Sequence, residues 1–176
     1  MSEEKKVNLA GYEDLTHLGN NTNGEDVYVA RKDGKFGIVV ADTVGTELCD
    51  FRFDMLKTHP GGFLIGWWDG VKDKFGIVAY SGKVLMPNIL TAIAEPWNDY
   101  VKLEADGKYG AFDIKTFYFT MPEYDSIEFD SIDDLVFTKD GFEGYIIEET
   151  GEFIPKELRN DEKYCDAYVF TAANYI

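Results

Sequence analysis

Histidine is the side chain that enzymes use most often for proton transfer, and this chain has two, His17 and His59. Neither stands at the spacing of a zinc site, and neither has a serine and an acid in the pattern of a hydrolase triad. The sequence also lacks the glycine-rich loops that hold phosphates and the GxSxG turn of serine hydrolases. These features predict a protein that is not an enzyme and that holds no metal ion and no cofactor.

The second group of reactive side chains is a run of acids with no base among them. Its members are Glu123, Asp125, Glu128, Asp130, Asp133 and Asp134. The run lacks the glycine and the ligand spacing of an EF-hand loop. A solvated acidic loop, a patch that faces a partner, and a weak cation site all remain open. A hydrolase with two catalytic carboxyl groups is also open, and would need two acids in one concave pocket with a raised pKa.

The three tryptophans, Trp67, Trp68 and Trp97, are the candidate contact residues. Neighbours on a strand point to opposite faces, so Trp67 and Trp68 cannot both enter one core. An exposed tryptophan can anchor a protein interface or stack on a sugar ring. The alternative is that a neighbouring repeat covers it.

The formal net charge of the chain is -16, and 20 acids against 7 bases lie between Glu95 and the C-terminus. Such a balance argues against a nucleic acid or an anionic membrane as partner. Solubility is the usual explanation of such a charge, and a face for a basic protein partner is the alternative. The polar first residues and the two cysteines, Cys49 and Cys165, outside any CxxC pair favour a cytoplasmic protein with reduced thiols.

The elements that position these residues are predicted from an internal repeat. Four segments align, with their last glycines spaced by 39, 34 and 34 residues: 33–39, 72–78, 106–112 and 140–146. An apolar strand-like run precedes each segment, and a proline and an aromatic-acid pair such as Phe53-Asp54 or Tyr124-Asp125 often follow. Regular short strands separated by turns predict an all-β chain of tandem repeats.

Each repeat is expected to be a three-stranded antiparallel meander. Asp-Gly between two apolar runs predicts a two-residue hairpin turn in which both residues have positive φ. The recurring glycine inside a strand indicates either a bulge or a place where the aromatic ring of a neighbouring repeat lies on the backbone. The prolines should lie at sheet edges or strand ends.

These residues resemble the WG-repeat (KWG-repeat) family, most closely in 106–110 and 121–127. The resemblance implies a β-rich scaffold with no assigned catalytic residues. Phe or Tyr replaces the family's tryptophan, the second repeat lacks Asp-Gly at its turn, and the fourth has Phe142-Glu143 in place of Lys-aromatic.

The whole chain is predicted to be one repeat domain, and an open twisted array is favoured over a closed propeller. Its expected parts are 12–22 (a partial end), 26–57, 62–93, 99–128, 134–158 and a terminal strand in 164–176.

Two functions fit these expectations. The first is a protein-binding module whose acidic face meets a basic protein, with a concrete version in an immunity or inhibitor protein that neutralises a cationic toxin. The second is a carbohydrate-binding protein that uses exposed tryptophans.

Overall fold

The computed structural model describes residues 7–129, 134–160, 163–164 and 169–170. Over these ranges the chain is all-β, with no α-helix, and its three antiparallel sheets are open, so none closes into a barrel. The predicted fold class is therefore confirmed. The chain divides into two compact units, residues 1–89 and 90–176, called here the first half and the second half. The prediction of a single repeat domain stays a prediction.

The first half is built on a seven-stranded sheet whose strands lie side by side in chain order. Its strands are β1 (Glu13–Asn20), β2 (Asp26–Lys32), β3 (Lys35–Val40), β4 (Phe53–His59), β5 (Phe63–Trp68), β6 (Phe75–Val78) and β7 (Val84–Leu90). Pro87 lies in β7, at the end of the sheet order, where a missing backbone donor costs no ladder bond. The predicted edge position of this proline is confirmed.

The second half contains a three-stranded and a four-stranded sheet. The strands of the first are β8 (Ala92–Ile93), β9 (Tyr100–Ala105) and β10 (Lys108–Asp113), and those of the second are β11 (Ser126–Phe129), β12 (Leu135–Lys139), β13 (Phe142–Ile146) and β14 (Phe153–Pro155). Strand β4 also pairs with β5, and β11 with β12, so the last strand of one repeat joins the first strand of the next. The terminal strand expected in 164–176 lies almost wholly outside the described residues.

Asp-Gly turns form the hairpins at the predicted places. In Asp33-Gly34 the φ angles are 52° and 79°, and in Asp106-Gly107 they are 51° and 79°. Asp140-Gly141 has 53° and 83°. The strand residues on either side of each turn are paired directly, as Lys32 with Lys35, so each loop has two residues. The second repeat, which lacks Asp-Gly at this position, needs the longer loop 69–74.

The recurring glycines are required by close approach. A Cβ atom on Gly37 would lie 2.8 Å from the Phe51 ring, and one on Gly76 would lie 2.4 Å from the Trp68 ring. The prediction that an aromatic ring packs on the glycine backbone is confirmed. The prediction that this ring comes from a neighbouring repeat is wrong, because each ring belongs to the same repeat as its glycine. The β2–β3 ladder runs through Gly37 without a register shift, and the β5–β6 ladder reaches its last pair at Gly76 without one, so neither pairing shows a bulge.

Other atoms also approach the recurring glycines closely in the second half. A Cβ atom on Gly144 would lie 2.4 Å from the Phe153 ring, and one on Gly110 would lie 2.4 Å from the Thr120 carbonyl oxygen. At Gly110 the following segment of backbone takes the place of a ring. All four glycines are buried, so a side chain there has no open space to enter.

The acid of the aromatic-acid pair links successive hairpins. Lys35 forms an ion pair with Asp54, and Asp54 also accepts a hydrogen bond of 3.0 Å from the backbone N–H of Gly70 in the next loop. The later copy has the same arrangement. There Lys108 pairs with Asp125, which accepts a 2.9 Å bond from the N–H of Asp140. We call each of these arrangements a lysine–aspartate clasp.

We expect Gly76→Ala to lower the free energy of unfolding by about 3 kcal/mol, because the added methyl group meets the Trp68 ring and a backbone carbonyl. Urea denaturation measures the change. The control is Gly24→Ala, where φ is 75° but the space is open, and the expected loss is about 1 kcal/mol. Equal losses in the two variants would contradict the steric explanation.

Candidate functional site

Two of the predicted tryptophans point to opposite faces of β5, as expected. Trp68 is only 8% exposed and packs edge-on against Phe53, with ring centroids 5.3 Å apart. Trp67 is half-buried beside Phe75. The expectation that Trp68 contacts a partner is therefore corrected, because the ring fills the core of the first half. Only part of the Trp67 side chain is exposed and able to contact a partner.

Trp97 is the exposed tryptophan, with 63% of its surface open to solvent. It starts a tight turn in which Trp97 and Tyr100 exchange backbone hydrogen bonds of 2.8 and 3.1 Å. Asn98 inside that turn has a φ of 51°, in the left-handed region that asparagine tolerates. The Trp97 ring lies 5.8 Å from the ring of Phe129, which is itself 39% exposed.

The four described members of the predicted acidic run have different surroundings. Glu123 and Asp125 are exposed but are paired with Lys139, at 3.1 Å, and with Lys108 in the clasp. Glu128 is exposed on β11. Asp130 and Asp133 lie outside the described residues.

Asp134 requires a correction. Its side chain is 5% exposed and lies 3.7 Å from the Arg159 guanidinium, so it is a buried ion-pair partner and not a surface contact. A buried carboxylate needs such a partner because burial without one is very costly.

The register of the three-stranded sheet brings a second turn beside Trp97. Tyr100 at the start of β9 pairs with Asp113 at the end of β10, and the N–H of Ile114 donates to the Asp99 carbonyl at 2.8 Å. The Asp113 carboxylate then accepts bonds from the N–H groups of residues 115 and 116, at 2.7 and 2.9 Å. The turn that follows β10 therefore lies at the same sheet end as Trp97.

This second turn presents further aromatic rings. Phe117 has a φ of 62°, which is uncommon and costly for a bulky residue. Its ring is 41% exposed and stacks on the buried Phe112, with centroids 5.8 Å apart. Tyr118 beside it is 43% exposed. We call Trp97, Phe117, Tyr118 and Phe129 the aromatic end.

Two carboxyl groups meet next to the aromatic end. Glu148, which follows β13, lies close enough to Asp113 for the two carboxyl groups to interact. Burial, reinforced by the negative charge of Asp113, raises the pKa of Glu148 to about 7. No base of the described chain forms an ion pair with either group, although Lys115 lies nearby and pairs with Asp99. Sequence reasoning missed this pair, because nothing in the residue pattern brings the two sheets together.

The converging acids meet part of the requirement for a hydrolase. The hydrolase hypothesis also requires a concave pocket around the two acids. The first half contains a groove of about 330 Å³. Its walls include apolar side chains such as Leu18, Val27 and Tyr80, and none of the residues that line it is charged. The hydrolase hypothesis stays untested.

Both histidines belong to the first half. His17 is exposed and contacts Asp26 at 2.8 Å. His59 is 6% exposed, stacks on Phe63 and accepts a 3.1 Å bond from the Gly61 N–H at Nδ1. Both therefore have structural contacts that account for their positions.

Three further features bear on the chemistry. Among the described residues, no group of three or more His, Cys, Asp or Glu side chains is arranged to hold a metal ion. Over the same ranges, no helix has the length and apolar character to span a bilayer. Cys49 is a free thiol, and burial raises its pKa, whereas Cys165 is outside the described residues.

No protein-family model and no curated protein matches the chain. Among solved structures it is similar to the extracellular domain of a putative one-component system from B. thetaiotaomicron, at 12% identity and a TM-score of 0.29. The match covers 88% of this chain and 22% of that one, so this chain spans about a fifth of its length. Such a likeness carries no argument about fold or function, and the resemblance to WG-repeat proteins stays a prediction.

We expect Glu148→Gln to make the protein more stable than the wild type at pH 8, by on the order of 1–2 kcal/mol after allowance for partial exposure. The folded pKa lies above the unfolded one, so the stability contribution of the wild-type carboxyl is present below about pH 4.5 and is lost as pH rises to about 7. The difference between variant and wild type should therefore vanish near pH 4.

Denaturation curves from pH 4 to 8 measure this difference. Glu149→Gln is the control, since it removes the same charge from an exposed neighbour and should give a flat difference. A flat difference for Glu148→Gln as well would contradict the raised pKa.

Proposed function

We propose that this chain is a non-catalytic protein-binding module whose aromatic end receives a basic segment of another protein. The observation that carries the proposal is the 63% exposure of Trp97 beside the ring of Phe129, at a sheet end that also holds Asp113 and Glu148. A solvent-exposed indole with neighbouring rings is unusual for a residue type that normally buries its large apolar surface.

The electrostatics of the second half support a cationic partner. It holds 20 acids and 7 bases, and every one of those bases is already engaged within the chain. Lys102 lies 4.0 Å from the centre of the Tyr109 ring. The other six form ion pairs: Lys108, Lys115, Lys139, Lys156, Arg159 and Lys163. The surplus of 13 negative charges therefore has no compensation within this half, and it attracts a basic surface.

The aromatic end adds an attraction specific to lysine and arginine. A cation over the face of a tryptophan gains about 0.5–2 kcal/mol, and more where water is excluded. Carboxylates beside the ring supply the opposite charge. Tryptophan is also among the residues most enriched at the energetic centre of protein interfaces. A cationic toxin such as a nuclease, held inactive by this chain as an immunity protein, is the concrete form of the proposal.

A carbohydrate-binding function is the second candidate, and the exposed face of Trp97 favours it. The two candidates differ in salt dependence. Binding of a basic protein weakens as salt rises, whereas stacking of a neutral sugar on an indole does not. A glycan array read by Trp97 fluorescence tests the second candidate.

We expect Trp97→Ala to weaken binding of the basic partner by about 30-fold, as for a central interface residue. The partner is first isolated on immobilised chain at low salt and identified by mass spectrometry, and affinities are then measured by calorimetry. Phe142→Ala is the matched control, because Phe142 is 72% exposed on a hairpin of the same half and lies outside the aromatic end.

Three results would overturn the proposal. They are a captured partner without a basic surface, binding that persists unchanged at high salt, and equal affinities for the two variants.

A further inference from the structure

The groove of the first half lies where three parts of the seven-stranded sheet meet. Leu18 belongs to β1, Leu48 to the segment between β3 and β4, and Tyr80 to the turn between β6 and β7. Leu18 and Tyr80 also pack against the same core cluster, although β1 and β7 are the two ends of the strand order. The sheet therefore curves so that its two ends approach each other, and the groove is a site that no single repeat forms.

The groove is uncharged in a strongly acidic chain. None of its lining residues is charged, although 28% of all residues are and the net charge of the chain is -16. Its surface is mostly apolar, and the apolar side chains among the lining residues are those of Leu18, Val27, Leu48 and Tyr80. A charged ligand would lose water here without gaining a counter-charge, and an anion would also be repelled by the chain as a whole. The groove therefore suits an uncharged molecule.

The polar groups of the groove are neutral as well. Thr22 and Ser81 are exposed lining residues, and each has a hydroxyl group that donates and accepts hydrogen bonds. Burial alone raises the pKa of the Tyr80 hydroxyl, with no contribution from a neighbouring charge. These groups offer hydrogen bonds to a bound molecule without requiring that the molecule carry a charge.

Hydrogen bonds within the walls hold the groove in shape. The side-chain oxygen of Asn21 accepts two backbone N–H groups of its own loop, both at 2.9 Å. The Gly82 N–H donates to the Ala79 carbonyl at 2.9 Å in the turn after β6, and the Leu48 N–H donates to the Ile38 carbonyl at 2.8 Å. A groove with such walls is largely formed before a ligand arrives, so little of the binding free energy is lost in ordering them.

We propose that this groove is a binding site for an uncharged small molecule, mainly hydrocarbon and about two rings in size. The size follows from the volume of about 330 Å³, since an apolar cavity of about 150 Å³ takes up one benzene molecule. The charge follows from the neutral lining. The proposal concerns the first half alone and is independent of the proposed function, which uses the aromatic end of the second half.

The first experiment titrates the whole chain, labelled with ¹³C in its leucine and valine methyl groups, with 2-naphthol. We expect a Kd of about 0.5 mM, with the largest NMR shift changes at Leu18, Val27 and Leu48 and none at Leu15, which is exposed on β1 outside the lining. Naphthalene-2-sulfonate has the same rings and a negative charge, and should bind at least about tenfold more weakly. No binding of 2-naphthol, shift changes elsewhere, or equal affinities for the two probes would each overturn the proposal.

The second experiment places a positive charge at the groove. Leu48 is 39% exposed, so Leu48→Lys removes little core packing. We expect this variant to bind 2-naphthol about fivefold more weakly than the wild type and naphthalene-2-sulfonate about fivefold more tightly, because the lysine supplies the counter-charge that the groove lacks. Leu15→Lys is the matched control, since Leu15 is 43% exposed on the same sheet, and it should leave both affinities unchanged. Equal changes in the two variants, or no change in either, would show that the probes bind elsewhere and overturn the assignment of the groove.

Discussion

The repeats depend on a contact that only glycine permits. At Gly76 the Trp68 ring and a backbone carbonyl occupy the space in which a side chain would begin, and at Gly110 the following backbone does so. A closely packed interior cannot absorb an added methyl group without displacing its neighbours. The glycine therefore sets how closely the end of a repeat crosses its own hairpin.

The lysine–aspartate clasps give the most regular charges of the sequence a structural role. Asp54 and Asp125 recur because each holds a lysine of its own hairpin and a backbone N–H of the next loop. An acid occupied in this way contributes to the alignment of successive hairpins. Glu148, by contrast, lies outside the repeated motif.

The aromatic end arises from strand register. Tyr100 and Asp113 are paired across β9 and β10, so the turn before one strand and the turn after the other must lie together. Phe117 keeps an unfavourable φ in that arrangement, and the stacking of its ring on Phe112 offsets part of the cost. The exposed Trp97 and the strained turn at Phe117 thus occupy one place because antiparallel pairing brings opposite strand ends into contact.

Local physics allowed the sequence alone to determine the all-β fold, the Asp-Gly hairpins and the opposite faces of Trp67 and Trp68. Positive φ at a two-residue turn and the alternation of side chains along a strand depend only on neighbouring residues. Tertiary structure decided that Trp97 is exposed, that Asp134 is buried and that Glu148 meets Asp113. Burial and the pKa that follows from it depend on groups distant in the chain, which come together only when separate sheets pack.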